Sequence, residues 1–245
     1  LDLDVFGEHS LFQYINRTAT PIGKQHLANW FNAHLENKAA IDHRQEAIRE
    51  LSTDLEYRQQ IRLLGLLYKG NPADTTEIKE WAASPSYYRK RTLLRILPIA
   101  VTVINFLCIS LAILGIISAN IAGGVFVSFV LFSTIFSKGI TKLQTTYGEK
   151  LQILSTYADQ ILLTEQKEMH SHILQELKTD LTSQNQTASQ AVRQLSKLMN
   201  ALDQRSNLLM STILNGLIFW ELRQVMRIEK WKEIHASDLP RWIET

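Results

Sequence analysis

The chain has 245 residues, 26 Lys+Arg against 24 Asp+Glu, a net charge of +2 and 45% hydrophobic residues. That near-neutral balance gives no electrostatic case for gripping nucleic acid by this chain alone. Its single cysteine, Cys108, excludes an internal disulfide, and the start at Leu1 with no signal-peptide pattern reads as a piece cut from a longer protein.

Residues 1–6 alternate apolar and acidic side chains and read as a short extended lead-in, broken at Gly7. Ser10 is placed to cap a helix carrying Leu11, Phe12 and Ile15, which stops at Asn16-Arg17-Thr18. Thr20 then takes an N-cap position with Pro21 at the first helical position, where its missing N–H costs nothing. Leu27, Trp30, Phe31 and His34 follow at helical spacing. A helix over 37–51 puts Ile41, Ile48 and Leu51 on one side. Another over 55–68 carries Ile61, Leu64 and Leu67 and ends at Gly70-Asn71-Pro72. Thr75 caps a short helix through Trp81, and Ser84-Pro85-Ser86 leads into the basic cluster Arg89, Lys90, Arg91 and Arg95.

Residues 96–137 contain no Asp, Glu, Lys or Arg, about twice the ~20 apolar residues that cross a bilayer once. Ser118, Ala119 and Asn120, followed by Gly123-Gly124, interrupt the run. The pattern predicts two spans, 96–117 and 121–137, joined by a very short turn. Arg89, Lys90, Arg91 and Arg95 precede the first span, and Lys138 and Lys142 follow the second. Basic flanks stay on the cytoplasmic side, so the reading is a multi-pass inner (cytoplasmic) membrane protein with both arms cytoplasmic. Tyr87 and Tyr88 sit where an interfacial aromatic belt would lie, and Cys108 faces lipid or a neighbouring helix. The competing reading is a soluble hairpin buried in a large core or an oligomer interface.

Beyond the second span, Leu143, Tyr147, Leu151, Leu154, Ala158, Ile161 and Leu162 keep a helical period, so one long helix is predicted to about Thr164. A helix over 171–181 and a polar loop over 182–187 come next. Ala188, Ala191, Val192, Leu195, Met199 and Leu202 form an amphipathic stripe. Asn207 opens a last long helix over 208–231, and Pro240 begins a final turn. No stretch alternates with period two, so the fold class is all-α. The organisation reads as a first arm (1–91), a transmembrane hairpin (92–138) and a second arm (139–245). Neither arm buries its apolar faces alone, so the two are expected to pack into one helical domain, with Trp30 and Phe31 sharing a core with the 208–231 helix.

The sequence assigns no catalytic residue, no cofactor-binding residue and no metal ligand. It contains no GxxxxGK(S/T) phosphate loop, no GxGxxG, no HExxH and no Cys/His cluster of zinc spacing. His170 and His172 point to different sides of a helix, and Glu165 and Glu168 flank Lys167 on what reads as a solvated face. Phe6-Gly7-Glu8 reads as structural. Asn16-Arg17-Thr18 and Asn185-Gln186-Thr187 match a glycosylation pattern that a cytoplasmic location rules out. Trp220, Glu221, Arg223, Arg227, Glu229 and Trp231 share the last long helix, where core packing and short-range Glu–Arg pairing are expected.

Residues 3–12, followed by Asn16-Arg17-Thr18, open the chain in a way that resembles the core, or lever, domain of the MutS mismatch-repair ATPases. In that family a leucine- and aspartate-rich lead-in reaches a TPxGxRxLxxWL-like helix. Here it reads Thr20-Pro21-Ile22-Gly23-Lys24-Gln25-His26-Leu27-Ala28-Asn29-Trp30-Phe31. Arg44-Gln45-Glu46-Ala47-Ile48 with Leu51 is similar to the next family helix, and residues 217–231 resemble the last core helix before the ATPase domain of membrane-bound MutS-like proteins. The apolar hairpin occupies the interval where mismatch-repair members insert a DNA-gripping clamp. No family DNA contact has a matching position here.

The resemblance implies a non-catalytic lever coupling a downstream ATPase domain, with ATP and Mg bound there, to a membrane hairpin. The implied partners are membrane lipid, that ATPase domain and a second copy in a homodimer, with DNA possible by resemblance only. Two other readings stand beside it. One is a membrane-anchored helical scaffold binding a protein partner. The other is a soluble DNA-binding lever whose apolar stretch is an oligomer interface.

Overall fold

The computed structural model describes residues 4–67, 72–182, 187–203 and 207–244. Among the described residues every regular element is helical, and the only strand-like contact is an isolated bridge between Thr182 and Thr187. The chain forms two compact units. The first comprises Leu1–Lys79, Ile153–Arg193 and Asp238–Thr245; the second comprises Glu80–Gln152 and Gln194–Ser237. Both sequence arms contribute to each unit.

The first unit begins with α1 (Leu11–Ile15), capped by Ser10, whose hydroxyl accepts from the Gln13 N–H. Helix α2 (Pro21–Asn32) starts as its sequence demands, with Thr20 accepting from the Gly23 N–H and Pro21 in the first turn. Asn37 caps α3 (Lys38–Thr53), and α4 (Leu55–Leu67) follows. The buried line of α3 runs through Ala47 and Leu51, which pack with Tyr57, Met169 and Leu174. Ile48 and Leu67, expected on inward faces, are more than half exposed. Neighbouring Ala47 and Gly65 turn inward instead, and an added Cβ at Gly65 would meet the Ala19 side chain, so only a residue this small fits there. Phe6 lies in a turn set by the positive φ of Gly7 (115°) and His9 (61°), not in an extended lead-in.

Helix α5 (Pro72–Ala83) begins three residues before the expected cap at Thr75, because Pro72 takes the favoured N-terminal position. The expected stop at Gly70-Asn71 lies outside the described residues. Helix α6 (Thr92–Ile113) and α7 (Ala119–Gln166) form the hairpin. Their turn is at Leu114–Ser118, earlier than expected. Gly115, with φ of 73°, makes the reversal, whereas Gly123 and Gly124 lie inside α7. The long continuation of the second span is present as an unbroken 48-residue helix.

Helices α8 (His172–Asp180) and α9 (Ala188–Asp203) match their predicted positions. Ala188, Ala191, Leu195, Met199 and Leu202 are fully buried. The expected single helix over 208–231 is two: α10 (Leu208–Ile218) and α11 (Trp220–His235). Phe219 breaks it with φ and ψ of 51°, a left-handed conformation costing roughly 1–2 kcal/mol in an L-residue. Its ring repays that cost by packing among Phe129, Phe132 and Phe136. A short α12 (Leu239–Glu244) ends the chain.

Trp30 does not share a core with α10 and α11. It belongs to the first unit, half exposed, with the Arg44 guanidinium 4.3 Å over its ring. Phe31 closes an aromatic cluster with Phe6 and Phe12. These local partners satisfy both side chains.

Candidate membrane hairpin and the helical corner beside it

Helix α6 and the Ala119–Gly148 part of α7 are each long and apolar enough to cross a membrane. No residue in the apolar window of α7 is buried, and only 17% of that of α6 is. Ile99, Val103, Phe106 and Leu107 on α6, and Val127, Leu131 and Ile135 on α7, are more than half exposed at helical spacing. The core helix of a soluble protein would hide such stripes.

The covered side of α6 is polar at two points. Asn105, 2% exposed, donates from Nδ2 to the carbonyls of Gly216 (2.9 Å) and Leu217 (3.2 Å). Arg223 donates to the Pro98 carbonyl and the Thr102 hydroxyl, each at 2.7 Å, and to the Ile218 carbonyl at 2.8 Å. Pro98 has no N–H to offer the carbonyl one turn back, while its own carbonyl accepts both the Thr102 hydroxyl and the Arg223 guanidinium. Glu221, also buried, accepts from Ser211 and Ser137, while its own N–H donates to Asn215.

Glu229 locks the basic flank. Its carboxylate accepts from the backbone N–H groups of Tyr87 (2.7 Å), Tyr88 (3.1 Å) and Arg89 (2.6 Å). Leaving such buried donors unpaired costs about 1–3 kcal/mol each. Arg89 also pairs with Glu233, which holds the Glu233 carboxyl below its usual value. Lys232, buried beneath Trp81, donates to the Trp81 carbonyl and the Ser84 hydroxyl, and burial pushes its ammonium below the usual lysine value. Glu221, Arg223, Glu229 and Lys232 of α11 thus bond to other elements, which local Glu–Arg spacing does not predict. A carboxylate answering N–H groups some 140 residues away leaves no trace in local spacing.

In the first unit the acidic groups cap helices. Glu50 accepts from the N–H groups of His170 (2.8 Å) and Ser171 (2.7 Å) at the start of α8. The hydrogen bond from His170 holds its carboxyl below the ordinary value. Asp54 pairs with Lys167, which lowers the acid and raises the base. Glu165 accepts from the N–H and hydroxyl of Ser189 at the start of α9, so it is a cap and not a solvated side chain. Glu168 is exposed. His172 stacks on His43 and faces Glu176, while His170 contributes its backbone N–H to Glu50. The two histidines thus serve different contacts. Asn16 folds back to accept from Thr18, and Asn185-Gln186 lies outside the described residues.

A cavity of about 590 Å³ in the first unit has walls from Ile22, Trp30, Tyr57, Ile161, Leu177 and Trp242. His26, Tyr57 and Tyr157 are the titratable groups among its lining residues. Among the described residues no cluster of three or more His, Cys, Asp or Glu is placed to hold a metal ion. Helical spacing alone does not single out Asn105. An amide inside an otherwise apolar span is itself a signal, because such residues face a protein interior.

A family model described as MutS domain III matches residues 2–208. No curated protein and no solved structure matches the chain.

Proposed function

Because the chain belongs to the MutS domain III family, we propose that it is the membrane-anchored core, or lever, region of a MutS-like ATPase, fixed in the inner membrane by the α6–α7 hairpin. The observation that carries this reading is the bare apolar surface of both hairpin helices, flanked by Arg89, Lys90, Arg91 and Arg95 on one side and Lys138 and Lys142 on the other. Both arms then lie on the cytoplasmic face. The 48-residue α7, which continues past the hairpin to Gln166, supports the lever role.

In this reading the chain performs no catalysis. The ATP and magnesium of this reading belong to a separate ATPase domain of the same protein, since this sequence has no phosphate loop. The partners proposed are lipid, that domain and a second copy.

Val103→Asp tests the membrane assignment. Val103 is 59% exposed, so an acid there is harmless in water. At the centre of a span it costs roughly 2.5–3.5 kcal/mol on insertion scales. The expected result is a fall in the membrane-retained fraction on cell fractionation. Wild-type protein that stays soluble without detergent would favour the soluble lever with an oligomer interface instead.

A further inference from the structure

We propose that α10 is a third membrane element: a re-entrant helix whose tip enters the lipid beside the hairpin and returns through α11. This rests on the hairpin being membrane-inserted.

The first argument is polarity. Helix α10 is amphipathic in the reverse sense. Its polar residues Ser211 and Asn215 face Glu221 of α11, while Leu209, Met210 and Ile213 are exposed at 77%, 51% and 49%. Polar groups turned to the protein and apolar groups turned outward are what lipid demands and water penalises. Its 11 residues are too few to span but suit a re-entrant segment.

The second argument is depth. Asn105 stands ten residues beyond Arg95, or about 15 Å along a helix, half of a ~30 Å hydrocarbon core. Because Asn105 binds the Gly216 and Leu217 carbonyls, the end of α10 lies at that depth. An added Cβ at Gly216 would run into Phe126 and Val130 of α7, so the tip is seated closely against the hairpin.

The third argument is backbone satisfaction. A helix end inside lipid must have its last carbonyls bonded by protein. Here Asn105 serves Gly216 and Leu217, and Arg223 serves Ile218. The corner residue Phe219 is 1% exposed, so the irregular backbone never meets lipid.

The test is spin labelling in a Cys108→Ser background, with one cysteine placed at Leu209, Ile213, Val103 or Leu131. The protein is reconstituted in vesicles of phosphatidylethanolamine and phosphatidylglycerol. Collision with oxygen is compared with collision with a water-soluble nickel chelate. Labels at Ile213 and Leu209 should favour oxygen, as those at Val103 and Leu131 do, with Ile213 deeper than Leu209. Nickel access at Ile213 with oxygen-favouring controls would overturn the re-entrant helix and leave the hairpin standing. Shielding of Ile213 from both probes would mean a protein partner covers α10, which also overturns it. Nickel access at Val103 and Leu131 as well would remove the membrane reading and this inference with it.

Discussion

Individual carboxylates in this protein close helix ends, and that gives the first unit a definite pH response. Glu50 titrates below its ordinary value of 4.5 because the His170 N–H binds its charged form. The folded chain thus holds that proton more weakly than the unfolded chain. Its contribution to stability is full above the unfolded value and is lost as pH falls through the lowered folded one. Asp54 behaves likewise through its bond from Lys167. Lys167 has the opposite sign. Held above 10.5 by Asp54, it contributes fully below that value and loses the contribution as pH rises through its raised one. The first unit should therefore keep a level stability across neutral pH and weaken at both extremes. Glu50→Gln should flatten part of the acid-side loss, read as the urea midpoint of detergent-solubilised protein against pH. An unchanged acid limb would show that the α8 cap does not contribute.

At the scale of elements, the helical corner of α10 and α11 depends on one small residue. Gly216→Val would push a branched side chain against Phe126 and Val130, and overpacking of this kind costs about 1–3 kcal/mol. The expected result is a lower thermal midpoint with faster hydrogen exchange in α10. Gly124→Ala is the control. An added Cβ there meets nothing within 4 Å, so the helix should gain up to ~1 kcal/mol. Equal destabilisation by both changes would mean that Gly216 is not a close-packing point. The contrast explains why the glycine pair inside the apolar run does not make the hairpin turn. Gly123 and Gly124 keep helical geometry, and Gly115 alone reverses the chain.

On the whole-molecule scale, the two sequence arms do meet, but within two units whose cores hold different aromatics. Trp231, 2% exposed, stacks on Trp81 with ring centres 6.4 Å apart. Trp231→Ala should cost about 3–5 kcal/mol and speed hydrogen exchange in both pieces of the second unit, near Trp81 and along α11. Trp30→Ala, at a half-exposed site, should act locally and weakly. If Trp231→Ala loosened only residues after Gln194, the second unit would not be a joint product of both arms.

The sequence alone determined whatever depends on local chemistry. Ser10, Thr20 and Asn37 cap their helices because a short side-chain oxygen reaches an N–H two or three residues on. The charge-free run over 96–137 and the stripe from Ala188 to Leu202 follow from composition and period. Tertiary structure decided the rest, because those features rest on distant partners. Phe219 turns left-handed only because Phe129, Phe132 and Phe136 receive its ring. Glu229 serves Tyr87–Arg89, Asn105 serves α10, and Trp30 turns to Arg44 instead of α11. Helical period names a face of a helix but not what will cover it, and that choice is made by packing between segments far apart in the chain.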